Sequence, residues 1–274
     1  MPAKPVIRAF IDDPLNLFEL SIIFGGGIIA GLLGGLLGIG GGIVLMPVLR
    51  FYLGLSPAVS AGTCIVAVFF TTLGGSFRHY KLGHVNIQSI IPVITAGAIS
   101  TMVFSLVFLF FTQRERWLDL GTGVVFSFIS LRMMVEGWGE FSRKKRKDDT
   151  RSEIGGSMGG KLAIGGIAGI LPGLLGIGTG AILVPAFVLF LKAPIKIAIG
   201  ASLTSFSVNA FISALIKTFQ GFVYLPVALP ICLGTLIGSN IGAVMNKHSP
   251  SSFLKILFGL AFSYVSYQYF VIFF

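Results

Sequence analysis

The sequence predicts an all-α fold, a polytopic transmembrane helical bundle of two inverted repeats with glycine-rich, re-entrant-like broken helices. Three observations predict it. The 274 residues are 54% hydrophobic but only 11% charged, against roughly 25% charged in a soluble globular chain. Apolar stretches recur that exceed the about 20 residues a bilayer crossing takes. One glycine-rich phrase is also written twice, at residues 27–47 and 165–185, with 14 of its 21 positions identical without gaps. A duplicated, glycine-interrupted apolar segment at matching places in two halves points to the central binding site of a transporter.

Taken in order, residues 1–17 read as an N-terminal tail. Asp12, Asp13 and Glu19 give the wrong sign for the n-region of a signal peptide, so no cleaved signal is expected. Residues 17–53 form the first apolar element, about 55 Å long if helical throughout and too long for one crossing. A break at Gly38 to Gly42 divides it into two shorter pieces. Low-charge stretches follow at 51–77, 85–112 and 118–134, then at 162–191, 197–219, 222–245 and 253–274. Between them lies a linker, 139–160, holding Arg143, Lys144, Lys145, Arg146, Lys147 and Arg151. Within a net charge of +10, this cluster reads as a cytoplasmic loop obeying the positive-inside bias, with anionic lipid headgroups and not nucleic acid as its partner.

The repeat continues beyond the glycine phrase. Gly62 meets Gly200, Gly83 meets Gly221, Val85 meets Val223 and Pro92 meets Pro230. Gly123-x-x-Phe126-Ser127-x-x-Ser130 meets Gly259-x-x-Phe262-Ser263-x-x-Ser266. Two modules, 18–138 and 161–274, follow from this. If the broken element doubles back to its own side, each module crosses an odd net number of times and the halves are inverted. Positive-inside counting favours that arrangement. It places Arg78, Lys81, Lys192, Lys196, Lys247 and Lys255 inside. Lys217, Arg50, Arg114 and Arg116 then lie outside, the last two beside Glu115 and Asp119.

The chemistry is expected at the breaks. Gly38, Gly40, Gly41 and Gly42, and their counterparts Gly176, Gly178, Thr179 and Gly180, can adopt backbone angles that other residues avoid. They can leave amide N–H groups at a half-helix N-terminus, where the helix dipole attracts an anion. Gly27, Gly31 and Gly35 instead form a small-xxx-small ridge for helix packing. A nucleotide phosphate loop is a poor third reading, because no Lys-Ser or Lys-Thr follows the glycines. Ser60, Thr63 and Cys64, and in the second copy Ser202, Thr204, Ser205 and Asn209, add neutral polar groups, with back-bonding to helical carbonyls as the alternative use of the hydroxyls.

No Asp or Glu follows Glu153, although Lys161, Lys192, Lys196, Lys217, Lys247 and Lys255 do. Intramembrane carboxylates mark cation sites and proton relays, so this half suits an anion. Arg78, His79, Lys81 and His84 form a candidate cytoplasmic mouth, and equally a set of loop anchors; His248 has the same two readings. Neither a cofactor nor a metal is expected, and no stretch offers room for a soluble catalytic domain.

These residues resemble the sulfite exporter TauE/SafE family of membrane permeases. The resemblance rests on Gly38, Gly40, Gly41, Gly42 and Pro47, on Ala61, Gly62 and Thr63, and on Gly83 and Val85. In the second copy it rests on Gly176, Gly178, Gly180, Pro185, Gly200, Ala201, Ser202 and Leu203. Thr63-Cys64-Ile65 departs from the Thr-Ser-Leu usual in the family. The resemblance implies secondary transport that exports small sulfur-containing anions, sulfite or organosulfonates, across a bacterial inner membrane. Two alternatives stay open at this stage: a passive anion channel, and a thiol–disulfide electron relay using Cys64 and Cys232. The repeat pairs Cys64 with Ser202 and Cys232 with Ile94, so the cysteines are not mates, and neither has a basic neighbour to stabilise a thiolate.

Overall fold

The computed structural model of the protein describes residues 16–142, 154–245 and 251–273. The tail before Asn16, the basic cluster from Arg143 to Arg151, and Lys247 and His248 lie outside the described residues. The described residues form helices and no strand: α1 (Leu17–Leu37), α2 (Gly42–Pro47), α3 (Pro57–Lys81), α4 (Ile87–Thr112), α5 (Glu115–Ser142), α6 (Met158–Leu175), α7 (Gly180–Leu189), α8 (Ile195–Phe219), α9 (Leu225–Met245) and α10 (Ser251–Phe273). A π-helical turn, Val48–Tyr52, extends α2. Among the described residues α1, α3, α4, α6, α8, α9 and the Glu115–Val135 part of α5 are long and apolar enough to cross a membrane.

Local sequence sets where these helices start. The Asn16 N–H donates to Glu19 Oε2 at 3.0 Å ahead of α1. Ser56, Asn86 and Ser157 accept from the N–H groups of Val59, Ser89 and Gly160 to cap α3, α4 and α6. Such caps satisfy amides that the first helical turn leaves orphaned. Helix α5 runs on to Ser142 and α6 begins at Met158, so both ends of the expected linker are helical.

The duplication reaches backbone detail. After α2, the Leu55 N–H donates to the Leu49 carbonyl; after α7, Ala193 donates to Phe187, both at 3.0 Å. Gly54 and its counterpart Lys192 sit left-handed in these two turns, at φ 63° and 51°. After α3, His84 donates to the His79 carbonyl, and after α8 Phe222 donates to that of Lys217, again both at 3.0 Å.

Packing interleaves the halves. Helix α1 of the first half lies along α9 of the second, and α6 of the second lies along α4 of the first. A Cβ added at Gly27 would come within 2.8 Å of the Ile231 carbonyl oxygen, while one at Gly31 or Gly35 would overlap that of Thr235 or Ser239. From the other side, Gly234, Gly238 and Gly242 of α9 meet the carbonyls of Phe24, Ile28 and Leu32. The mate interface sets Gly165, Gly169 and Gly173 against Val93, Gly97 and Thr101. In a bilayer, where lipid tails are as apolar as leucine, the van der Waals packing that such close backbone approach permits is one of the sources of helix affinity.

Contact registers give helix directions. Along α1/α9 and α4/α6 both chains advance together, so these pairs run parallel. Along α3/α8 the order reverses, His79 meeting Gly200 while Phe69 meets Phe211, ten residues earlier on α3 and eleven later on α8. The serine-rich motifs of α5 and α10 also pack on each other in reverse order. Ser127 bonds Ser266 at 2.6 Å, Ser130 donates to the Gly259 carbonyl at 2.7 Å, and the Phe126 and Phe262 rings meet at 5.7 Å.

Candidate anion site at the crossed helix breaks

Helix α1 ends at Leu37 because Gly38 turns left-handed at φ 72°, followed by Gly40 and Gly41 at 78° and 71°. The chain then doubles back. Gly41 lies beside Ala30 and Gly34 of α1, and α2 starts at Gly42. In the second half α6 ends at Leu175, Gly176 turns left-handed at φ 67°, and Thr179 precedes α7.

The two breaks cross. A Cβ at Gly180 would overlap the Gly38 carbonyl, and one at Gly178 the Ile39 carbonyl. One at Gly42 would come within 2.9 Å of the Gly178 nitrogen. Every residue of both breaks is buried. Irregular backbone is tolerable at membrane depth only where protein or a wet cavity surrounds it, and here protein does.

Around the crossing the other predicted residues divide into groups. Ser202 donates to the Gly38 carbonyl at 3.3 Å, and Cys64 faces the Gly42 carbonyl at 3.6 Å. Thr179, the residue before α7, keeps its hydroxyl oxygen buried with no partner among the described residues, and so do the Ser205 hydroxyl and the Asn209 carbonyl oxygen. Asn209 points at Gly97 of α4. Thr63 and Thr204 have other employment. Thr63 accepts the Tyr224 N–H at 3.0 Å. Thr204 bonds Ser76 at 2.8 Å and its own helical carbonyl, Gly200, at 2.9 Å. Ser60 donates to Leu55 at 3.2 Å.

Phe206 is the residue that sequence reasoning missed. Its ring edge fills the gap between the breaks, 2.7 Å from a Cβ built at Gly40 and 3.5 Å from one at Gly178. A bulky aromatic among the small polar residues from Ser202 to Asn209 was its signal.

The expected mouth residues are less alike than their spacing suggests. His79 is buried inside α3, its Nδ1 3.2 Å from Nδ1 of His84. The Arg78 Nε is buried without a partner among the described residues, while Lys81 is exposed, its ammonium 4.4 Å above the Phe77 ring. Two charge assignments change. Asp119 is held by Arg50 of the π-helical turn, through Nε at 3.0 Å and NH2 at 2.8 Å. Lys217 is wholly buried and therefore cannot count as a loop charge.

Cys64 and Cys232 are both free and buried. No cluster that could hold a metal ion occurs among the described residues. We expect the Cys64→Ser, Cys232→Ser double variant to retain its transport rate in lipid vesicles; abolished flux would restore the electron-relay reading.

A polytopic helical bundle with paired, crossing helix breaks defines a membrane transporter architecture. The chain belongs to the sulfite exporter TauE/SafE family, whose family model matches residues 23–269. It is similar to a probable membrane transporter protein of Haemophilus influenzae, 31% identical over 85% of this chain and 91% of the relative. Similar too are the probable membrane transporter proteins YunE of Bacillus subtilis (27%, over 81% and 86%) and MJ0441 of Methanocaldococcus jannaschii (29%, over 89% and 91%). No solved structure matches.

Proposed function

We propose that this transporter is a secondary carrier that exports a small sulfur-containing anion, sulfite or an organosulfonate, across the bacterial inner membrane by alternating access. The observation that carries this reading is the buried crossing of the two breaks. It gathers backbone dipoles and neutral hydroxyls, with three polar side-chain oxygens left unpartnered beside it or on the adjoining face of α8. The second half contributes no carboxylate after Glu153, which suits an anion better than a cation. The family description adds sulfite as the substrate class.

Helix directions support an inverted relation of the modules 18–138 and 161–274. Helix α3 opposes α8, α1 follows α9, and α6 follows α4, so each helix of one half runs against its counterpart. Opposed halves let one site open to either side by rocking. Phe206, wedged between the breaks, must move with them.

The test is radiolabelled sulfite and methanesulfonate uptake into vesicles holding the purified protein. Saturable flux at carrier-like turnover is the expected result. Absence of saturable flux with any small oxyanion, from monodisperse folded protein, would overturn the proposal. Turnover in the range of ion channels would replace it with the channel reading.

A further inference from the structure

Lys217 is the fourth residue after Ser213 on α8 and lies inside the bundle, 0% exposed. Its ammonium donates to the Gly173 carbonyl at 2.9 Å and sits 3.3 Å from the centre of the Phe108 ring. No carboxylate pairs with it among the described residues, and the chain holds no Asp or Glu after Glu153. Holding an uncompensated charge away from water costs several kcal/mol, and an ionisable side chain within a membrane span is by default a functional one.

Its surroundings are unfinished as well. Ser105 lies three residues before Phe108 on α4, fully buried, and its hydroxyl oxygen has no partner among the described residues. Gln220 lies three residues after Lys217; its amide N–H donates to the Ser105 carbonyl at 3.0 Å, while its own Oε1 is buried and unpartnered. A cation, a hydroxyl and a rotatable amide therefore share one end of the α4/α8 contact. All three can donate to a small oxyanion once the amide turns.

Position ties this cluster to the break. Gly173 is three residues before the left-handed Gly176, so the carbonyl that holds Lys217 belongs to the last turn of the broken helix α6. The duplication makes the same point. The counterpart of Lys217 is His79, which is also buried. Each half thus buries a basic side chain at this position, and in the second half it donates to the carbonyl three residues before the break. Only the second half uses a lysine.

We propose that Lys217, with Ser105 and Gln220, is an anion-binding station beside the α6–α7 break, where the ammonium neutralises the transported oxyanion. This rests on the anion-carrier reading above. Mere packing against Gly173 and Phe108 would leave substrate affinity unchanged, which separates the two roles.

The experiment compares wild-type protein with Lys217→Met and Lys217→Arg, using sulfite as the probe in two assays. In vesicles, Lys217→Met is expected to raise the KM for sulfite about 10- to 100-fold, the worth of one hydrogen bond to a charged group, while Lys217→Arg stays within a few-fold. In detergent, sulfite is expected to raise the Tm of wild type and Lys217→Arg but not of Lys217→Met. An unchanged KM and Tm response in Lys217→Met, beside a transporting wild type, would overturn the proposal. A wild type that neither carries sulfite nor responds to it in Tm overturns the carrier reading instead. Should Lys217→Met fail to fold, Lys217→Gln, which keeps a donor for the Gly173 carbonyl, is read in the same way.

Discussion

Gly180→Ala will abolish transport and lower the stability of the folded protein by about 1–3 kcal/mol, the usual cost of overpacking. The added methyl would land on the Gly38 carbonyl and crowd the Ile39 Cα, which is 2.5 Å from it. Both obstacles are backbone, so no rotamer change can relieve them, and the two breaks must separate. Separation alters the crossing at which irregular backbone of the two halves meets. Gly166→Ala is the matched control: its Cβ meets nothing within 4 Å, and alanine in a helix is favoured over glycine by roughly 0.5–1 kcal/mol. Anion flux in vesicles and thermal unfolding in detergent measure both variants. A transporting, fully stable Gly180→Ala protein would show that the crossing is not the site.

Asp119→Ala carries the largest expected loss of stability, about 3–5 kcal/mol, as for removal of one member of a buried ion pair. Arg50 and Asp119 have side chains 18% and 4% exposed, joined by two parallel hydrogen bonds. Arg50 also donates to the Leu55 carbonyl at 3.2 Å, so it ties the end of α2 both to α5 and to the turn entering α3. Removing the carboxylate strands the guanidinium. The double variant Arg50→Met, Asp119→Leu should recover most of the loss, because two apolar side chains need no partner. Unfolding curves of the single and double variants in detergent check this. Equal losses in both would mean that shape, not charge, holds this corner.

Much of the architecture is legible in the chain. Low charge and repeated apolar length specify membrane helices, since no polar backbone survives in lipid except inside a helix or a closed barrel. The helix stops at Gly38 and Gly176 are equally local, because these glycines take the left-handed turn that side chains resist. Small residues every fourth position marked α1 as a packing face, and the same pattern at Gly234, Gly238 and Gly242 was available to mark its partner. The candidate site was legible only in part. Gly38, Gly178, Gly180 and Ser202 do meet, whereas Thr63 is spent on Tyr224, a residue 161 positions away. Nothing near Thr63 in the chain announces that partner.

Charges show the same division. Counting cations placed Arg50 and Lys217 on the outer side, yet Arg50 is half-buried and held by Asp119, and Lys217 is buried against Gly173 and Phe108. The sequence by itself determined the solvent this protein lives in, the two copies and the places where their helices break, because these follow from composition and from backbone preferences within a few residues. Only the tertiary structure decided that the breaks cross, that Phe206 fills the gap between them and that a lone lysine waits beside one of them. Those outcomes depend on which helix of one half packs against which helix of the other, and that choice is made by contacts between residues far apart in the chain.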